Sequence, residues 1–272
     1  MNGFKFAALF CVAASLEACV PVSPSGSTPA SSQPSPTQAS SGANITALSV
    51  NPNGVLVCIA GGHAFTLETG KFTALPAPTS ASSAAWRGGD WWLALPKSGL
   101  AYKATGVPSS VSFVAQPTLL SSRFVFTNDG DVFDYSATKI GRVGSVPSAI
   151  LENGERTFVL SGNVVFEIGK TVERKQTLEA GSTYSLVPDG ENAALLRGLA
   201  ARAGGYTYRV DGTALIASNT AERETARVTL AAKPSQLIAS SGFVAVATGA
   251  TLRVLRAGDL SPILESPCGG GA

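Results

Sequence analysis

Residues 53–65 read N-G-V-L-V-C-I-A-G-G-H-A-F. Asn53-Gly54 and Gly61-Gly62 are dipeptides that accept the positive φ angles of a tight hairpin. Between them runs Val55 to Ala60, with none of the apolar–polar alternation of a strand that faces water on one side. A short, β-branched apolar run closed at both ends by turns reads as a strand buried on both faces. Phe65 stands three residues beyond the second turn.

The same arrangement recurs down the chain. Comparable first turns are Gly88-Gly89, Ser121-Ser122, Asn153-Gly154, Asp189-Gly190 and Ser241-Gly242; from Gly54 onward their second residues are 35, 33, 32, 36 and 52 apart. Each is followed by a strand-like run: DWWLAL (90–95), RFVFTN (123–128), RTFVLS (156–161), NAALLR (192–197) and FVAVAT (243–248). Second turns follow at Ser98-Gly99, Asp129-Gly130, Ser161-Gly162, Gly204-Gly205 and Thr248-Gly249. Three residues past them stand Tyr102, Phe133, Val165, Tyr208 and Leu252. Shorter runs precede the first turns: ITALSV (45–50), SAAW (83–86), PTLL (117–120), SAIL (148–151), TYSLV (183–187) and SQLIA (235–239). Four antiparallel strands per unit, repeated six times, predict an all-β fold: a β-propeller of six four-stranded blades. The long fifth interval predicts an insertion within 198–204 and 218–226. A pair of β-sandwiches, or a less regular all-β domain, is the alternative.

Some turns carry a resemblance. Val50-Asn51-Pro52-Asn53-Gly54 and Leu186-Val187-Pro188-Asp189-Gly190 resemble the S-P-D-G turn of YVTN-type propellers. Glu68-Thr69-Gly70-Lys71 is similar to the T-G-K hairpin of YVTN and quinoprotein-like propellers. These matches cover single turns and imply a broad superfamily.

Composition agrees with a turn-rich β fold: hydrophobic residues make up 44% and charged residues 14%, with 29 glycines and 16 prolines in 272 residues. The net charge of +2 implies neither nucleic acid nor an acidic surface as a partner.

The amino-terminal segment sets the expected location. Phe6 to Leu16 is an apolar run too short to span a bilayer as a helix but suited to the core of a signal peptide. Leu16-Glu17-Ala18-Cys19 resembles the bacterial lipobox, with Leu at −3, a small residue at −1 and Cys at +1, and departs from it at Glu17. The resemblance implies diacylglyceryl (palmitate-type) modification of Cys19 and cleavage before it. Val20 to Ala43 is almost wholly Ser, Thr, Pro, Gly, Gln and Ala, a composition unable to bury enough apolar surface to fold. The expected organisation is therefore a signal peptide (1–18), a lipid-anchored Ser/Pro-rich linker (19–43) and a propeller (44–272). An ordinary secretory signal with Cys19 incidental is the alternative. Once Cys11 leaves and Cys19 is lipidated, Cys58 and Cys268 remain, either bridged in an oxidising envelope or as two separate thiols.

Residues suited to catalysis are sparse. The one histidine, His63, has no companions at metal-ligand spacing, and Asn128-Asp129-Gly130-Asp131 with Asp134 lacks the spacing of a calcium loop, so a hairpin turn accounts for it. There is no G-x-S-x-G motif, and no spacing singles out a pair of carboxylates for glycoside hydrolysis. The runs expected to line a propeller channel carry only Glu152 nearby. Trp91 and Trp92, as strand neighbours, point to opposite faces, and with Trp86 they are expected between blades. Arg197, Arg202, Arg209, Arg223, Arg227, Arg253 and Arg256 are expected to form a scattered, solvated rim. The expectation is a non-catalytic binding or scaffold module for a protein partner, without cofactor, metal or catalytic residues. It is anchored by lipid in the bacterial cell envelope and faces the periplasm or the exterior. In general design it is similar to the propeller lipoproteins of outer-membrane biogenesis. The alternative is an envelope polysaccharide-binding protein or hydrolase.

Overall fold

Alternating turns and strands build the whole of residues 42–270, the part that the computed structural model describes. Among these residues the one helical element is a 3-10 turn, Pro96–Ser98. The expected signal peptide, Cys19 and the expected linker up to residue 41 lie outside the described residues.

The first blade comprises β1 (Ile45–Val50), β2 (Leu56–Ala60), β3 (His63–Glu68) and β4 (Lys71–Ala74). The second holds β5 (Ser83–Arg87), β6 (Asp90–Leu95), β7 (Leu100–Lys103) and β8 (Ser109–Ser112). The third holds β9 (Pro117–Leu120), β10 (Phe124–Thr127), β11 (Asp131–Asp134) and β12 (Lys139–Arg142), and the fourth β13 (Ala149–Asn153), β14 (Arg156–Ser161), β15 (Val164–Ile168) and β16 (Val172–Thr177). A two-stranded sheet of β17 (Tyr184–Asp189) and β18 (Asn192–Arg197) follows. The fifth blade is β19 (Ala200–Ala203), β20 (Tyr206–Asp211), β21 (Ala214–Asn219) and β22 (Glu224–Thr229). The sixth is β23 (Gln236–Ala239), β24 (Phe243–Thr248), β25 (Thr251–Arg256) and β26 (Pro262–Pro267). Every blade is an antiparallel meander in chain order, and the sheets are arranged as a β-propeller with the first strand of each innermost.

The buried middle strands explain why the decisive run does not alternate. Leu56, Cys58 and Ala60 pack into an apolar cluster with the sixth blade, whereas Val57 and Ile59 pack into another with the second blade. In the same way β24 sends Val244 and Val246 toward the fifth blade and Ala245 and Ala247 toward the first. Successive side chains point to opposite faces, and both faces are covered. Each fully buried Leu, Ile or Val of this kind contributes about 1.5–3 kcal/mol relative to exposure. The aromatic and aliphatic residues three past the second turns serve the same purpose: Phe65, Tyr102, Phe133, Val165 and Leu252 all lie in or against inter-sheet clusters.

Gly130 shows why a turn glycine is required. It holds φ +80, and a Cβ there would stand 2.6 Å from the Ser145 backbone nitrogen, so both conformation and space exclude a side chain.

The fifth interval resolves differently from the sequence expectation. The 52 residues from Gly190 to Gly242 divide at Gly205 into 15 and 37. Gly204-Gly205 joins β19 to β20 and is the first turn of a complete blade; the second turn of that blade is Asp211-Gly212, and Leu215, three residues later, is fully buried. The additional element is thus the β17–β18 hairpin, whereas residues 198–204 and 218–226 belong to, or directly adjoin, regular strands of the fifth blade.

Candidate binding site at the two-stranded sheet

The inner strands bear few charges, and these gather at one end. Arg87, Glu152, Asp189 and Arg202 each lie at or near the first turns. Three of them stitch neighbouring sheets together. Arg87 Nη1 donates to the Ser122 carbonyl (2.8 Å), the Glu152 carboxylate accepts from Ser122 N and Oγ (3.0 and 2.6 Å), and Arg202 Nη1 donates to the Pro188 carbonyl (2.9 Å). Asn153 Nδ2 continues the series by donating to the carbonyls of Gly190 (2.8 Å) and Asn192 (2.7 Å).

Other residues singled out from the sequence have structural positions. His63 is the exposed first residue of β3. Asp131 pairs with Lys139 (2.7 Å), and Asp134 accepts from the backbone of Ser136 and Thr138 in its own turn. Among the described residues no group of three or more His, Cys, Asp or Glu is placed to hold a metal ion. Trp86 and Trp91 meet edge to face at 5.2 Å against the first blade. Trp92 points the other way onto Tyr135 of the third blade, with ring centroids 5.1 Å apart. The sulfurs of Cys58 and Cys268 stand 2.08 Å apart within the apolar cluster between the first and sixth blades.

The irregular region is the two-stranded sheet. One face, through Tyr184, Leu186, Ala193 and Leu195, joins an apolar cluster with Phe158, Leu160 and Val165 of the fourth blade. Its other face meets the fifth blade, and no apolar cluster forms there among the described residues. Instead the Ser185 hydroxyl donates to the Gly198 carbonyl and accepts from Ala200 N (both 2.9 Å), and Arg202 Nη1 lies 3.7 Å from Asp189 Oδ1.

With no third or fourth strand, this sheet leaves a notch between its neighbours. Toward the fifth blade a cavity of about 550 Å³ is lined by Asp189, Arg202, Thr207, Arg209, Ser218 and Glu222, among others. Toward the fourth blade a smaller cavity of about 290 Å³ is lined by Phe158, Val165, Lys175, Leu186, Ala193 and Leu195, with Arg156 at its side. The register Arg202↔Thr207, Thr207↔Ser218, Arg209↔Ile216 and Ile216↔Arg227 puts Arg202, Arg209 and Arg227 on one face of the fifth blade. These three arginines are therefore grouped, where the sequence suggested scatter. Arg227 pairs with Glu224 (2.9 Å) and Arg202 with Asp189, whereas Arg209 is exposed and has no ion-pair partner among the described residues.

On the fourth blade, Glu167 accepts from Arg156 Nε (2.7 Å) and Nη2 (2.9 Å) and from Lys175 Nζ (2.8 Å). The hydrogen bonds from Arg156 and then Lys175 pull its carboxyl down to about 2. Arg156 also reaches Asn192 Oδ1, and so ties the fourth blade to the beginning of β18.

No protein-family model matches the chain, and no curated protein matches it by sequence. Solved structures do. AztD from Citrobacter koseri is 11% identical, with 84% of this chain and 87% of that chain covered at a TM-score of 0.50. A chain of the nidogen/laminin complex is 12% identical, with 78% and 93% covered at 0.52. PorZ, a surface component of the type-IX secretion system of Porphyromonas gingivalis, is 13% identical at 0.51, and the likeness spans 81% of this chain but 38% of PorZ. At such identities the likeness concerns architecture: the chain shares the fold of these proteins and adds to its six four-stranded blades a sheet of two strands.

Proposed function

We propose that this protein is a bacterial envelope lipoprotein, tethered through Cys19, whose propeller is a non-catalytic binding or scaffold module for a protein partner. The observation that carries the binding role is the notch. It leaves an apolar strand, β18, half-buried between a cavity lined largely by apolar residues toward the fourth blade and one lined by polar and charged residues toward the fifth, whereas the second strands β2, β10 and β24 are buried almost throughout. Of the two carboxylates on the larger cavity, Asp189 is paired with Arg202, which suits recognition better than proton transfer. Trp86, Trp91 and Trp92 are engaged between blades, so they offer no stacking platform to a sugar. For the tether, the support is Leu16-Glu17-Ala18-Cys19 followed by the Ser/Pro-rich spacer. Two or three acyl chains make such an anchor effectively permanent, since one alone binds marginally. A Cys58–Cys268 bridge in the exported protein belongs to the same reading, and non-reducing mass analysis checks it.

The tether is tested by fractionation and mass of wild type and Cys19→Ala. We expect the variant to leave the membrane fraction and to lose the mass of the lipid. Equal membrane retention with unchanged mass class would remove the anchor and leave the binding role standing.

A further inference from the structure

The outermost strands of the six blades are guarded. β4, β12, β16 and β22 carry Lys, Arg or Glu, β26 carries Glu and two prolines, and β8 is three-quarters serine. Such residues discourage pairing with another chain at a sheet edge. β18 is also an outermost strand, yet it reads N-A-A-L-L-R, with four consecutive apolar residues, all half-buried. It has the sequence of a middle strand and lacks the neighbour that a middle strand has.

Its hydrogen-bonding phase can be read from the hairpin. Gly198 N donates to the Thr183 carbonyl (2.9 Å), and Asp189 and Asn192 flank a two-residue turn. Hydrogen-bonded pairs alternate with open pairs in an antiparallel ladder. The bonded pairs are therefore Ser185–Leu196, Val187–Ala194 and Asp189–Asn192. Pro188, which has no N–H, falls at an open pair opposite Ala193, as this phase requires. The N–H and C=O groups of Ala193, Leu195 and Arg197 consequently point away from β17, and among the described residues β17 is the only strand that pairs with β18. Three donors and three acceptors line the free edge.

We propose that this edge is completed by strand addition: an extended segment of the partner polypeptide, at least five residues long, pairs with Ala193–Arg197 as the missing third strand. The inference rests on the protein-partner reading above and specifies its mode. A third strand would alternate its side chains between the two walls of the notch. The fourth-blade wall offers Phe158 and Val165, and the fifth-blade wall offers Thr207, Ser218 and the guanidinium of Arg209, which has no ion-pair partner among the described residues. The segment that fits thus alternates apolar residues with polar ones, with a carboxylate opposite Arg209. A second copy of this chain does not fit. The edge is set back by two strands, about 10 Å, from the outer edges of the flanking blades, and the β18 edge of another copy is set back equally. The linker of this chain fits poorly, because five prolines interrupt residues 20–36, and the proline-free remainder, Thr37–Ala43, has no large apolar residue to set against Phe158 and Val165 and no carboxylate to set against Arg209.

The test uses the full-length protein in intact cells, with a photo-crosslinking amino acid placed singly at Gln176, on the notch wall, or at Val107, an exposed loop position of the second blade. The trapped peptide is identified by mass spectrometry. Ala193→Pro removes one free-edge donor and leaves the bonds to β17 intact; Arg209→Glu reverses the charge of the opposite wall. We expect trapping from Gln176 of one defined segment of another protein, alternating as described. Either substitution should reduce the yield at least tenfold with an unchanged melting temperature, and the complex should slow hydrogen exchange at Ala193, Leu195 and Arg197. Trapping from Val107 alone would keep the protein-partner reading and overturn strand addition. So would an undiminished yield in both variants, or a trapped peptide from this chain itself. No trapped protein from either position would overturn the partner reading and strand addition with it. If Ala193→Pro does not fold, Arg209→Glu and the exchange of the three amides decide.

Discussion

The seam between the first and sixth blades and the notch beside β18 are opposite solutions to the problem of neighbouring sheets. At the seam, Leu56, Phe65, Ala245, Leu252 and the two cysteines form one dry cluster, and Ile45 N donates to the Gly249 carbonyl (2.8 Å). At the notch, two strands stand where four are usual, and beside the buried Val187 and Ala200 the contact with the fifth blade is made by serine and arginine hydrogen bonds. A propeller is a closed ring of sheets, so one loosely filled interface is tolerable only if the others hold firmly. The difference separates where the molecule is fastened from where it is left open.

The strongest way to break this contrast is to unfasten the seam. A bridge between residues separated by 210 positions restricts the unfolded chain, by an entropic estimate, by up to about 5 kcal/mol. We expect Cys58→Ala/Cys268→Ala to lose about 4 kcal/mol in denaturant titration; a loss below about 1 kcal/mol would show that the cluster alone fastens the ring.

Next in size is a comparison within the fifth blade, which faces both ways. Leu215 is fully buried against the sixth blade, whereas Ile216 turns toward the notch and is only half-buried. Leu215→Ala should cost about 3 kcal/mol and Ile216→Ala about 1 kcal/mol or less by the same measurement. Equal losses would mean that the notch face is packed as tightly as the other.

The smallest effect concerns acid. The Glu167 carboxyl is held at about 2 in the folded chain, below its ordinary value. Its stabilisation is therefore full above the ordinary carboxylate range and is lost as pH falls from about 4.5 toward 2. After allowance for partial exposure we expect about 1 kcal/mol, and Glu167→Gln should flatten that part of the stability–pH curve by this amount. An unchanged slope would show that the Arg156–Glu167–Lys175 group contributes nothing to the open wall.

Much of the ring was legible because its signals are local. The first-turn dipeptides, with the runs that precede and follow them, mark the first and second strands of the first four blades and of the sixth, and the opposite orientations of Trp91 and Trp92 follow from strand geometry alone. The fifth interval misled because a glycine pair does not declare which turn it makes. Gly204-Gly205 has an aromatic residue three positions on, Tyr208, yet Tyr208 lies in a second strand, where its hydroxyl accepts from Gly258 N (3.3 Å). The corrective signal was present in Asp211-Gly212 and in the 37-residue spacing from Gly205 to Gly242. The notch itself had no local signal. An apolar run such as 192–197 looks the same whether its outer neighbour exists or not. The Glu167 ion pairs, too, join residues brought together only by pairing across the fourth blade.

The 210-residue separation of Cys58 and Cys268 also sets a clock. Blades are local meanders that close as soon as they are made, but the seam waits for the final strands. At roughly 5–20 residues per second of synthesis, Cys58 spends on the order of 10–40 seconds without its mate. Cys19 is, with the expected processing, the other cysteine that the chain carries during that time. Under the proposed anchor the Cys19 sulfur is held in a thioether, which withdraws it from disulfide exchange and leaves Cys58 and Cys268 as the two thiols of the processed chain.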